Sequence, residues 1–144
     1  GYILMFHDGD AAERGFSADP KGWLNAFYLG GARGRTFLTD DELDVYVDTF
    51  VKSGITGQLN WYRNIDRNAV EWGRKQNAQI TQPTLVIASD RDPVLPLSLL
   101  DDMDRWVSDL EVKVIKDCGH WTQQEKPAEV NEALMSWLAM TDGR

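Results

Sequence analysis

Pro83-Thr84-Leu85-Val86-Ile87-Ala88, running on into Ser89-Asp90-Arg91-Asp92-Pro93, is the stretch that decides the fold. A short, continuous apolar run rich in β-branched residues predicts a strand covered on both faces. The charged segment after it, closed by a proline, predicts the loop at that strand's C-terminal end. Further on, the spacing of Leu97 to Val107 predicts a helix, and Val112-Lys113-Val114-Ile115 predicts a second strand. Residues 127–139 predict an amphipathic helix with Val130, Leu134, Trp137 and Leu138 inward. Residues 80–144 therefore spell strand, helix, strand, helix: a right-handed βαβ crossover with a closing helix. Two strands are too few, because open edges and uncovered apolar faces are costly. The expectation is a partner segment outside these residues, the N-terminal half of the sheet.

Upstream, the pattern is helical. Residues 2–8 predict one or two turns with Tyr2, Met5 and Phe6 on one face. Residues 11–36 read as irregular around Pro20 and the Gly30, Gly31 and Gly34 cluster, with a short helix near Trp23 to Tyr28. Thr39-Asp40-Asp41-Glu42 is a capping box with an acidic first turn that suits the helix dipole. It predicts a helix from about Asp40 to Lys52, with Leu43, Val47 and Phe50 buried and Gly54 ending it. A second helix is expected from Gly57 to about Lys75, carrying Leu59, Trp61, Tyr62, Ile65, Val70 and Trp72. No second strand-rich region appears in this half.

Composition narrows the class. The 144 residues, 42% hydrophobic and 26% charged, are ordinary for a globular protein. A formal charge of −8 argues against nucleic acid or an anionic membrane as partner, since both require a basic surface. The one cysteine, Cys118, excludes an internal disulfide framework and fits a reducing compartment, so a cytoplasmic location is expected. No apolar run approaches the roughly 18 residues of a membrane span. Gly1 to Phe6 is apolar but has no basic leader, so a signal peptide is not expected. The chain opens on apolar residues at once, as though inside an element.

The reactive residues lie at the strand ends. Asp117-Cys118-Gly119-His120-Trp121 follows the second strand, where open α/β sheets place reactive groups. Histidine is the side chain best suited to take and return a proton near neutral pH. Asp92 sits just beyond the first strand and can hold one ring nitrogen of His120 while the other faces a reactant. Asp90 is an equal rival on position alone. A turn residue before Pro93 is the plainer account of Asp92, and a loop hydrogen-bonder that of His120. No nucleophile is found: Gly15-Phe16-Ser17-Ala18-Asp19 has no preceding strand and lacks the second glycine of a nucleophile elbow. His7-Asp8-Gly9-Asp10 could bind a metal, but Asp-Gly-Asp is also turn chemistry, and no further His or Cys stands at ligand spacing. Neither a metal nor an organic cofactor is expected.

Gly57-Gln58-Leu59-Asn60-Trp61-Tyr62-Arg63-Asn64, Asp90-Arg91-Asp92-Pro93-Val94-Leu95-Pro96 and Asp117 to Pro127 occur in the order seen in the α/β-hydrolase-fold epoxide hydrolases. The chain resembles their helical lid followed by the last two strands and helices of the core. The resemblance covers most of residues 38–144. It is looser before that, where His7-Asp8-Gly9-Asp10 departs from the family's Gln-Glu-Pro-Gly. It implies the C-terminal part of an α/β-hydrolase fold, with residues 1–79 as a helical lid (cap) domain and 80–144 as core. It further implies that an aspartate outside this chain opens an epoxide to give an alkyl-enzyme ester, which an activated water then hydrolyses. His120 would be the base for that water, Asp92 rather than Asp90 its orienting acid, and Tyr62 and Tyr2 the donors to the epoxide oxygen. Without the resemblance, Tyr62 is an aromatic on a helix and more often core than catalyst. Trp121, Val94 and Leu95 would line an apolar pocket, although ordinary packing accounts for each equally well. Cys118 reads as a small buried residue.

Three alternatives stand beside this. A haloalkane or haloacid dehalogenase of the same fold shares the aspartate–histidine chemistry but would bind halide in place of using two tyrosines. A serine esterase would differ in the absent nucleophile. A non-catalytic remnant or interaction module would have no need of Asp92, His120 and Tyr62. The expected partners are a small apolar epoxide and the missing N-terminal segment; neither the oligomeric state nor the particular epoxide follows from the residues.

Overall fold

The computed structural model describes residues 2–7, 9–28, 37–73 and 79–141, with the backbone alone for Tyr2. They fall into two compact units, one drawn from Gly1–Phe27 and Leu38–Gln76, the other from Tyr28–Phe37 and Asn77–Arg144. The Gly30 to Gly34 cluster and the end of the helix expected to reach Lys75 lie outside the described residues.

The first unit is helical: α1 (Tyr2–His7), α2 (Ala11–Ala18), α3 (Pro20–Phe27), α4 (Asp40–Ser53), α5 (Thr56–Arg63) and α6 (Ile65–Gly73). Residues 11–27, expected to be irregular apart from a short helix near Trp23 to Tyr28, form two helices: α2 where none was expected, and α3, which covers Trp23 but starts earlier, at Pro20. Asp19 caps α3 by accepting the Gly22 amide at 2.9 Å, and Pro20 follows as its first helical residue, where a missing N–H is harmless. The capping box at Thr39 forms as expected. The Thr39 hydroxyl accepts the Glu42 amide at 3.3 Å, and the Glu42 carboxylate accepts the Thr39 amide at 2.8 Å. Gly54 ends α4 at φ 70°, a left-handed value that favours glycine. The single helix expected from Gly57 is broken at Asn64 into α5 and α6, and the side chains of Trp61, Ile65, Val70 and Trp72 are exposed.

The core of this unit holds Phe6, Ala12, Phe16, Leu24, Leu43, Ile55 and Leu59, all buried. Trp23 packs edge-on to Phe16 (ring centroids 5.8 Å apart) and stacks on Phe27 at 5.4 Å. Full burial of an aromatic such as Phe6 contributes about 1.5–3 kcal/mol. A polar clasp joins α1, α2 and α5. Arg63 Nε donates to the Phe6 carbonyl at 2.8 Å, Nη2 to the Gly9 carbonyl at 2.9 Å, and Nη1 and Nη2 to the two Glu13 oxygens at 2.8 and 2.9 Å. The bidentate Arg63 guanidinium holds the Glu13 carboxyl down from 4.5 to about 2. Between those values the unfolded chain is protonated at Glu13 and the folded chain is not, so falling pH favours unfolding. The contribution is complete above pH 4.5 and lost as pH falls toward 2. Arg63→Met is therefore expected to lower the urea midpoint at neutral pH and to shrink the loss of stability on acidification. Parallel pH titrations of both proteins by circular dichroism check this; an unchanged acid slope would contradict it.

The second unit carries β1 (Thr84–Ser89), β2 (Leu110–Ile115), α7 (Thr122–Glu125) and α8 (Pro127–Thr141). The strands pair in parallel from Thr84↔Leu110 to Ser89↔Ile115, and a bridge between Ile80 and Val107 extends the pairing. Between them the expected helix over Leu97 to Val107 does not form. Two 3-10 turns, Leu97–Leu100 and Met103–Arg105, take its place. The physical reason is Asp102, left-handed at φ 66°, which ends any continuous helix between them. Ile115, Cys118 and Val130 form the buried cluster, with Ile87 packed against it. Leu134 and Leu138, expected inward on α8, are 40% and 45% exposed. Among the described residues no helix is long and apolar enough to cross a membrane.

Candidate active site

Parallel pairing sends the loops after β1 and β2 out of the same end of the sheet, and backbone hydrogen bonds fasten them together. The Asp90 amide donates to the Ile115 carbonyl at 3.1 Å and the Arg91 amide to the Cys118 carbonyl at 3.0 Å. The Asp90 carboxylate accepts the Cys118 amide at 3.3 Å. Asp117 turns the second loop with a left-handed backbone, φ 52°, and its carboxylate pairs with Arg91 at 2.6 Å. Aspartate is among the residues that tolerate this conformation.

The turn carries His120 to Asp92. His120 Nδ1 lies 2.9 Å from Asp92 Oδ2 and 3.1 Å from Oδ1, so the Nδ1–H donates to the carboxylate. Asp92 is only 6% exposed and His120 28% exposed at the side chain. Asp92 Oδ1 also accepts the amides of Val94 at 2.7 Å and Leu95 at 2.9 Å. Burial alone pushes the Asp92 carboxyl up. The Leu95 amide, the His120 ring and the Val94 amide together outweigh it and hold the group below the ordinary carboxylate value. The carboxylate thus stays ionised and fixes the His120 tautomer with its proton on Nδ1. Of the two aspartates open on position, Asp92 meets the histidine. Asp90 instead binds the loop backbone.

Trp121 lies with its ring centroid 5.3 Å from that of His120 and 4.7 Å from that of Tyr28. Val94 and Leu95 are exposed beside Asp92, which their amides hold. Tyr62 belongs to the first unit: it lies near the end of α5, half-buried, edge-on to Phe6 at 4.9 Å. The Tyr2 side chain lies outside the described residues. His7 donates through Nε2 to the Tyr62 carbonyl at 2.9 Å, and Asp10 pairs with Arg14. Among the described residues no cluster of three or more His, Cys, Asp or Glu could hold a metal ion. Cys118 is fully buried, and burial pushes its thiol up, which makes it a packing residue rather than a nucleophile.

Sequence reasoning passed over Glu125. One carboxylate oxygen accepts the Gly119 amide at 2.9 Å and the other the Trp121 amide at 3.1 Å, the two amides on either side of His120. The available signal was an acidic residue in the first turn after a loop, the setting in which a carboxylate reaches back to free amides.

Comparison with known proteins places the chain in a family. The family described as alpha/beta hydrolase fold matches residues 14–127. The bifunctional epoxide hydrolase 2 of Sus scrofa is 44% identical over 108 residues, 74% of this chain and 19% of that protein. Epoxide hydrolase A of Mycobacterium tuberculosis is 38% identical over 133 residues, 91% of this chain and 41% of the relative. A solved epoxide hydrolase from an endophytic Streptomyces aligns with a TM-score of 0.85 at 32% identity, over 96% of this chain and 51% of that one. The chain thus spans less than half of either curated relative and about half of the solved structure. With the family pattern matched over most of its length, the chain belongs to the α/β-hydrolase-fold family, and the relatives it is similar to are epoxide hydrolases.

Proposed function

We propose that the protein carrying these residues hydrolyses epoxides to vicinal diols in two steps, with residues 1–79 as lid and 80–144 as part of the core. The observation that carries this is the Asp92–His120 pair at 2.9 Å, set at the end of a parallel sheet in a chain whose relatives are epoxide hydrolases. In the first step an aspartate carboxylate outside these 144 residues attacks an epoxide carbon, and the carbon–oxygen bond breaks. The alkoxide formed takes hydrogen bonds, then a proton, from Tyr62 and Tyr2. Phenols aimed at that oxygen stabilise charge where it develops. In the second step His120 Nε2 takes a proton from water, and the resulting hydroxide attacks the ester carbonyl. The diol leaves, the nucleophile is restored as carboxylate, and the imidazolium proton returns through solvent to the tyrosinate left by the first step. Asp92 stabilises the imidazolium in between. Trp121, Val94 and Leu95 supply apolar lining for the substrate. A cytoplasmic location is supported by the single, buried Cys118.

Two tests bear on this. The complete protein is expected to release diol from an epoxide. Halide release from a haloalkane without diol formation would move the assignment to a dehalogenase of the same fold. Tyr62→Phe is expected to slow ring opening about 10²-fold, the usual effect of losing one donor to a developing oxyanion. Ester hydrolysis should be spared. Stopped-flow tryptophan fluorescence resolves the two steps, and an unchanged alkylation rate would remove Tyr62 from the mechanism.

A further inference from the structure

We propose that Glu125 is a positioning residue for His120, its carboxylate fixing the histidine's backbone from both sides. The geometry is specific. Glu125 Oε2 takes the amide of Gly119 at 2.9 Å and Oε1 takes that of Trp121 at 3.1 Å. The Trp121 amide lies in the peptide that leaves His120, and the Gly119 amide lies in the Cys118–Gly119 peptide, one residue before the peptide that enters it, so one rigid, planar carboxylate bridges the chain across His120. Holding both ends of this short segment narrows the directions open to the Cα–Cβ bond, and with it the reach of the ring to Asp92. Asp92 is itself tied down by the amides of Val94 and Leu95. The pair is therefore set from both ends before substrate arrives, the condition under which a catalytic contact costs least to form.

Helix capping alone does not account for this arrangement. α7 has four residues, with Trp121 at its N-cap. A carboxylate serving only that helix would need the Trp121 amide and no more. Gly119 lies two residues before the cap, and its amide contributes nothing to the helix. Left without an acceptor in this part-buried loop, each amide would carry the cost of an unmade hydrogen bond, so the loop would rearrange to satisfy it.

Glu125's role rests on His120 acting as the base of the second step, and the test separates the two ideas. Glu125→Gln keeps the shape but offers one acceptor oxygen, and its NH2 faces the other amide donor to donor. In the complete protein this variant is expected to slow ester hydrolysis about 10²-fold, the effect of a misplacement near 1 Å, with alkylation at the wild-type rate. The downfield NMR proton of the His120–Asp92 hydrogen bond should shift and exchange faster in parallel. That proton reports the positioning even if no epoxide is turned over, in which case the proposed function fails and the positioning is judged on the spectrum. Wild-type hydrolysis with an unchanged proton would overturn the proposal, and so would an equal fall in both chemical steps. If Glu125→Gln does not fold, Glu125→Asp carries the test. It keeps the charge but withdraws it by one methylene, and the same outcomes decide.

Discussion

His120→Gln is expected to lower turnover of the complete protein by about 10²–10⁴-fold, the range over which a positioned general base contributes. The loss should fall on one step. Opening of the epoxide needs the nucleophile and the donors to the epoxide oxygen, none of which is His120. Hydrolysis of the ester needs a proton taken from water, and glutamine has no nitrogen that can accept one. The hydrogen bond at 2.9 Å to Asp92 can be kept by the glutamine amide, so the loop should hold its shape. Pre-steady-state kinetics should therefore show a normal first phase followed by almost no second phase. Loss of the first phase would point to a collapsed loop or to a different role for His120.

Asp92→Asn is expected to cost a similar amount by another route. Asp92 Oδ1 accepts the Val94 and Leu95 amides, which need an oxygen at that position. Asparagine will satisfy them with its one oxygen, and its NH2 then points at His120 Nδ1. That nitrogen must become an acceptor, so the ring proton moves to Nε2, the atom that has to accept the proton of water. The wrong tautomer leaves no base. A fall of about 10²–10⁴-fold in ester hydrolysis is expected, with the fold intact because the backbone contacts survive. The pH dependence carries a sign as well. The Asp92 carboxyl is held below its ordinary value, so its support for the loop is present at neutral pH and lost as pH falls through that depressed value. A variant with near-wild-type hydrolysis would show that the aspartate only shapes the turn.

Much of the second unit was legible from residue pattern. The run from Thr84 to Ala88 read as a strand, which it forms, although partly rather than fully buried among the described residues, and two loops leaving parallel strands must emerge at one end. That put Asp92 and His120 within reach of each other, but spacing could not choose between Asp90 and Asp92. The choice depends on which way each side chain leaves the turn. Leu97 to Val107 misled because apolar spacing reports what a helix would bury, not whether the backbone can propagate. Asp102 stops it with a left-handed conformation. Leu134 and Leu138 show the complementary failure: periodicity marks an apolar face but says nothing about what lies against it. Residues 11–27 hid α2 and the true start of α3 behind Gly15, Pro20 and Gly22, although Asp19-Pro20 is itself a helix start. Glu125 escaped because its partners are backbone amides, which leave no mark on residue identity, and the Arg63 clasp because its other members are two backbone carbonyls and a carboxylate, Glu13, far away in the chain. The Tyr62 assignment came from the resemblance alone, since an aromatic edge-on to Phe6 is equally at home in a core.

The most direct test is the mass spectrum of the intact His120→Gln protein after incubation with an epoxide. If Asp92 and His120 form the water-activating end of a two-step hydrolase, the protein should gain the mass of the epoxide. Peptide mapping should place the ester on an aspartate outside these 144 residues. An unmodified protein that still forms diol would contradict the account, as would an adduct carried on serine.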